Sequence, residues 1–151
     1  MKYVHTNIIS SNWQLLADFY IQVFECTPVP PARDQSGTWL DQCTGVQNAH
    51  INGMHLRLPG CGENGPTLEI YSYTKMKEKL DTLPNRKGYG HIAFEVENVA
   101  AVLEKVLEYG GSKQGEISQK LVAGVGFITL IYAKDPEGNI IEIQNWDRTR
   151  K

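Results

Sequence analysis

The chain has 151 residues, with 15 Lys and Arg against 17 Asp and Glu, a formal charge of -2 at pH 7 and a pI near 6.1. That length fits one ordinary domain able to bury about two thirds of its unfolded surface, and a balanced charge without a basic run argues against nucleic acid as a partner. No apolar run approaches the ~18 residues needed to cross a bilayer, and the three cysteines, Cys26, Cys43 and Cys61, lack C-x-x-C spacing, so the cytoplasm is the expected compartment.

In chain order, Tyr3-Val4-His5 opens an alternating run to Ile9, Ser10 to Asn12 offer a helix cap, and Trp13 to Phe24 carry apolar residues at helical spacing. From Gly45 to Leu58, Gly, Asn and His interrupt any simple period, and the stretch reads as an insertion holding a short helix and some extra strand. Pro59 to Pro66 is a loop, Thr67 to Ile70 a strand, and Lys75 to Lys87 a polar linker containing Pro84-Asn85. Tyr89-Gly90-His91 then opens a second run to Val96, Asn98 offers a cap, and Val99, Val102, Leu103, Val106 and Leu107 form an apolar stripe that Gly110-Gly111 stops. A weaker strand over Ser112 to Gln119 and a stronger one over Phe127 to Ala133 follow, then the turn Asp135-Pro136-Glu137-Gly138 and a last strand.

The chain therefore repeats itself. Gly65-Pro66-Thr67-Leu68-Glu69-Ile70 closes the first half as Gly138-Asn139-Ile140-Ile141-Glu142-Ile143 closes the second. His5 to Glu69 is 64 residues and His91 to Glu142 is 51, so the first half is longer by 13. One domain over 1–151 is expected, with module one at 1–74, the linker at 75–87 and module two at 88–146. Each half reads as strand, helix, strand, strand, strand.

Strand parity gives the repeated residues a purpose, because residues two apart share a sheet face. Val4, Thr6, Ile8, Leu68, Ile70, Ile92, Phe94, Val96, Ile141 and Ile143 fall on one face and suit the helices. His5, Glu69, His91 and Glu142 all fall on the other. Two imidazoles and two carboxylates suit one divalent first-row metal, Ni, Zn, Co, Mn or Fe, with octahedral positions left open for catalysis. A lone strand His or Glu is ordinarily a solvated residue, but solvation supplies no reason for the pairing to recur on the same parity. Arg33, Arg57 and Lys120 are read as surface charges, His50 and His55 as loop or packing residues facing opposite ways, and Trp39, Tyr71 and Phe127 as aromatics able to line the site.

Gly88-Tyr89-Gly90-His91-Ile92-Ala93-Phe94 and Asp135-Pro136-Glu137-Gly138-Asn139-Ile140-Ile141-Glu142, with the shorter Tyr3-Val4-His5 and Thr67-Leu68-Glu69-Ile70, resemble the ligand motifs of the vicinal oxygen chelate superfamily, the glyoxalase, bleomycin-resistance and extradiol-dioxygenase group. The resemblance implies an α+β fold of two βαβββ modules pairing into a curved mixed-sheet cup with helices outside. It implies a homodimer acting on a small molecule, and a metal held by His5, Glu69, His91 and Glu142. The His, Glu, His, Glu order is similar to that of bacterial glyoxalase I, the lactoylglutathione lyase, whereas methylmalonyl-CoA epimerase typically has Gln where this chain has Glu69. The implied reaction is proton transfer next to a carbonyl through a metal-bound enediolate, with Glu142 as first choice of base and Glu69 as second. The insertion at Gly45 to Leu58 and the segment Pro28 to Arg33 do not match the glutathione-binding region of glyoxalase I. The alternatives are an acyl-CoA epimerase and a non-catalytic small-molecule-sequestering protein.

Overall fold

In the computed structural model, which describes residues 1–150, the chain divides into two units, Met1–Lys79 and the stretch from Leu80 onward. The expected domain extends to Lys151, which lies outside the described residues. The first unit contains β1 (His5–Ile9), α1 (Trp13–Phe24), β2 (Thr27–Ser36), α2 (Thr38–Thr44), β3 (His50–Arg57) and β4 (Thr67–Tyr73). Its sheet runs β1-β4-β3-β2, with β1 parallel to β4 and the other pairs antiparallel. α1 starts where the Asn12 side chain accepts the Leu15 amide proton at 3.1 Å, and stops where Glu25 turns left-handed with φ 57 while its N–H bonds the Ile21 carbonyl. Leu16, Phe19, Tyr20, Val23 and Phe24 are buried along α1, which packs on β3 and β4 where Leu56, Leu68 and Ile70 are also buried. Each such side chain contributes about 1.5–3 kcal/mol by leaving water.

The second unit contains β5 (Ile92–Glu95), α3 (Val99–Glu108), β6 (Ser112–Lys113), β7 (Ser118–Val122), β8 (Gly126–Lys134) and β9 (Ile140–Asp147). β5 lies parallel to β9, β9 antiparallel to β8, and both β6 and β7 pair with the far edge of β8. Asn98 caps α3 by accepting the Ala101 amide proton at 3.0 Å. Leu103 and Val106 of α3 are buried, as are Ile131, Ala133, Ile141 and Ile143 of the strands it packs on. Each unit is thus a βαβββ arrangement in a mixed α+β fold, as the repeat implies.

The second strand is interrupted in the same way in both units. From Val29 to Arg33, four steps of β2 face two steps of β3, from His55 to Gly53. From Lys113 to Ser118, five steps face three on β8, from Ala133 to Leu130. Each unit so carries two extra residues in its second strand, a bulge that ends regular pairing and bends the strand. In the second unit it splits the expected Ser112 to Gln119 strand into β6 and β7. In the first, Pro30 and Pro31 fall within the bulge and Pro28 on the same edge strand, the places in a sheet where proline is tolerated.

The insertion expected at 45–58 is misplaced. His50–Arg57 is β3, the third strand of the module itself, paired along its length with β4. The added element is α2 with the turn that follows it, residues 37–49, where the second unit has only the tight 123–125 connection between β7 and β8. Asp41 secures that turn, its two carboxylate oxygens accepting the Asn48 and Ala49 amide protons at 2.8 and 2.7 Å. Gly53 and Asn52 disguised the strand, since neither favours extended structure by itself and tertiary pairing overrode the preference.

Candidate metal centre

β1 and β4 run side by side in a register that sets His5 against Thr67 and Asn7 against Glu69. His5 Nδ1 reaches Glu69 Oε1 at 3.2 Å. In the second unit β5 and β9 place Ala93 against Glu142, and His91, two residues before Ala93, brings its Nε2 to 3.0 Å from Glu142 Oε2. Both pairs lie on the sheet face turned away from their unit's long helix. The carboxylates are only 12 % and 13 % exposed, so neither is a freely solvated surface glutamate. Val4, expected among the apolar residues, is instead 59 % exposed, because it precedes β1 and no helix covers it.

The structure brings each His to its own Glu, and the four expected ligands form two pairs, one per unit. Adjacent octahedral ligands held at ~2.0–2.2 Å stand about 3 Å apart, so each imidazole–carboxylate pair has the chemistry and spacing of two neighbouring ligands. Among the described residues no group of three or more His, Cys, Asp or Glu side chains is disposed to hold a metal ion.

Sequence reasoning missed His55. It is not a loop residue: β3 sets it directly opposite Glu69, and its Nε2 lies 3.2 Å from the same Oε1 that His5 approaches. Both imidazoles therefore meet one oxygen rather than surrounding an open point. His55 Nε2 also lies 2.8 Å from the Tyr71 hydroxyl. Burial holds the His55 pKa below the usual imidazole value; the Glu69 charge opposes this, while Arg33 and His5 push it further down. Burial likewise raises the Tyr71 phenol, as does Glu69, against a smaller opposing effect of Arg33. The signal available in the sequence was the odd spacing from His50, which sends the two imidazoles to opposite faces; His50 indeed turns away, to Asp34 at 2.6 Å.

At the corresponding place opposite Glu142, β8 carries Tyr132. Its ring lies 4.8 Å from that of His91, and its pKa is raised by burial, by the Glu142 charge and by a hydrogen bond with that carboxylate. Of the other aromatics, Trp39 is exposed on α2 with its indole N–H donating to the Ser36 carbonyl, and Phe127 lies under the Arg150 guanidinium on the opposite parity from Tyr132. Arg33 and Arg57 fall on the Glu69 face by register, opposite Gly53 and Thr67.

The model of the Glyoxalase/Bleomycin resistance protein/Dioxygenase superfamily matches residues 2–143, which include both His–Glu pairs. The chain belongs to that superfamily. A glyoxalase family protein from Bacillus cereus shares the fold at TM-score 0.75 and 17 % identity over 97 % of this chain and 93 % of its own. A glyoxylase/bleomycin resistance protein/dioxygenase domain from Frankia gives 0.61 at 14 % identity, covering 97 % and 98 %. A family enzyme from Burkholderia phytofirmans gives 0.59 at 12 %, covering 97 % and 100 %. Likenesses this distant speak to the glyoxalase fold alone. No curated protein matches the sequence. No helix among the described residues is long and apolar enough to cross a membrane.

Proposed function

We propose that this superfamily member is a metal-dependent lyase or isomerase that moves a proton at carbon next to a carbonyl, in the manner of glyoxalase I. The observation that carries the reading is the repeated His–Glu pair, at 3.2 Å and 3.0 Å, on the face of each sheet turned away from the long helix. His5, Glu69, His91 and Glu142 would hold one divalent ion, Ni, Zn, Co, Mn or Fe, and the active form would be a cytoplasmic homodimer. When bound, the ion supplies Lewis acidity toward vicinal oxygens of a small-molecule substrate. Glu142 is assigned as the base that takes the proton from carbon and returns it, a role open to a carboxylate that is largely shielded from water. Glu69 is the second candidate.

Purified protein loaded with each metal in turn is to be screened against hemithioacetals of 2-oxoaldehydes and against acyl-CoA thioesters, following solvent deuterium at the α-carbon. Glyoxalase-type activity gives isomerised thioester from the first class. Exchange only in the second makes the protein an acyl-CoA epimerase. Tight binding with no exchange and no bound metal would support a sequestering protein and sink the catalytic reading.

A further inference from the structure

Glu69 is held by an imidazole backed by a phenol, whereas Glu142 is hydrogen-bonded directly by the Tyr132 phenol. His55 Nε2 faces the Glu69 carboxylate at 3.2 Å and the Tyr71 hydroxyl at 2.8 Å. The anionic neighbour requires a donor, which assigns the proton to Nε2 and makes its N–H shared between two oxygens. Tyr71 is itself fixed. It is buried in a cluster with Leu40, Ala49 and Ile51, against which α2 packs. Its ring meets the His55 ring edge-on, with centroids 5.9 Å apart and planes at 86°. Gly53 stands opposite Tyr71 on β3, and a Cβ there would overlap the Tyr71 ring and the Ile70 carbonyl oxygen. In the second unit Leu130 takes the place of Gly53 and Gln144 that of Tyr71, and Gln144 Oε1 accepts a hydrogen bond from the Trp146 indole at 3.0 Å instead.

We infer that His55, braced by Tyr71, is a positioning residue that fixes the rotamer of Glu69. The bracing is a property of the first unit alone. Its consequence, that Glu69 is presented to the metal in one orientation, rests on the metal-dependent function proposed above. A glutamate on an open strand samples several rotamers, whereas a ligand must present one, and groups that orient a ligand carry weight comparable to ligands. His55 is assigned as brace rather than ligand because its nearest polar neighbour is the Tyr71 hydroxyl.

The test uses the full chain and two readouts. Without metal, nitrogen-15 imidazole spectra are recorded for the parent, Tyr71→Phe and Gly53→Ala. Tyr71→Phe keeps the ring and removes only the hydroxyl, so it remains decisive if Gly53→Ala does not fold. The His55 signals are expected to move, the His5 signals to follow through Glu69, and the His91 signals to stay. Unmoved His55 and His5 signals, or His91 moving equally, would overturn the inference. In cobalt titrations, His55→Leu and Tyr71→Phe are expected to weaken binding by about 10- to 100-fold with a shift of the cobalt bands, and His55→Gln, which restores an N–H donor, to recover part of the loss. A loss with His55→Gln equal to that of His5→Gln makes His55 a ligand and overturns the bracing role. A parent protein that takes up no cobalt sinks the proposed function instead, and the imidazole spectra still decide the inference.

Discussion

The two units place a histidine and a glutamate at the same points of the same strands, yet surround the glutamate differently. In the first, the third strand offers His55, and behind it stand Tyr71 and the helix α2. In the second, the third strand offers Tyr132, whose ring lies against His91, and Gln144 on β9, at the place of Tyr71, accepts a hydrogen bond from the Trp146 indole. Paired strands position the donors by register alone, which repetition preserves. What tunes each carboxylate comes from the strand across from it, where the halves have diverged. A similar scaffold so sets one carboxylate against an imidazole and the other against a phenol.

The strongest way to break that contrast is to neutralise each carboxylate in turn. Glu142→Gln is expected to lower turnover by ~10²- to 10⁴-fold, the usual contribution of a general base, while keeping much of the metal. Glu69→Gln should instead cost mainly metal affinity. Bound metal and α-deuterium exchange measured together decide it. A Glu142→Gln protein exchanging at the parent rate passes the role of base to Glu69.

The turns entering the last strands differ as well. Asp135 is buried, and its Oδ1 accepts amide protons from Glu137 at 3.0 Å and Asn139 at 2.8 Å. Gly138, at φ 78, closes the turn with its N–H on the Asp135 carbonyl. Asp135→Ala strands those donors and should lower stability by about 1–3 kcal/mol, seen as a fall in the urea midpoint. Asn64→Ala, in the longer loop before β4, should change it by less than ~0.5 kcal/mol. Equal effects would mean the two turns are equally loaded.

These contrasts also show what could be read beforehand. Both asparagine caps and the helix from Trp13 to Phe24 were visible because each depends on local spacing, and the His–Glu pairing because the repeat sets the same two residue types at the same points of both halves. His55 was not, since its meaning depends on a β3–β4 register that no local pattern encodes. α2 was misplaced by a few residues because Gly45 and Asn48, taken as the start of an insertion, are the turn that ends it: both have positive φ, 70 and 55. The repeat located the glutamates but could not disclose that one faces an imidazole and the other a phenol.

A gentler comparison uses alkali. The Tyr71 and Tyr132 pKa values are both raised, chiefly by burial and then by their glutamates. A phenol that holds its proton more tightly in the folded chain leaves that state with more bound protons than the unfolded one. Stability is then fully present below the ordinary tyrosine pKa of ~10 and falls as pH rises through it. Urea midpoints between pH 8 and 11 should decline, and Tyr71→Phe and Tyr132→Phe should each flatten the decline. If only one does, only that phenol titrates with folding.

The smallest effect expected is on thiol chemistry, which reports on the first unit alone because Cys26, Cys43 and Cys61 all lie in it. Cys26 follows α1, is 2 % exposed, and has its pKa pushed up to about 12 by burial, while Cys43 and Cys61 are exposed. Only the thiolate attacks a disulfide reagent. At pH 8 the native chain should therefore release two equivalents of thionitrobenzoate from Ellman's reagent promptly and the third only as the first unit opens. Loosening α1 with Phe19→Ala, a truncation costing ~3–5 kcal/mol where the ring is fully buried, should speed that third equivalent and leave the other two unchanged. Three equally fast thiols in the parent protein would show that Cys26 is reached without unfolding, and that the α1 face is looser than its packing implies.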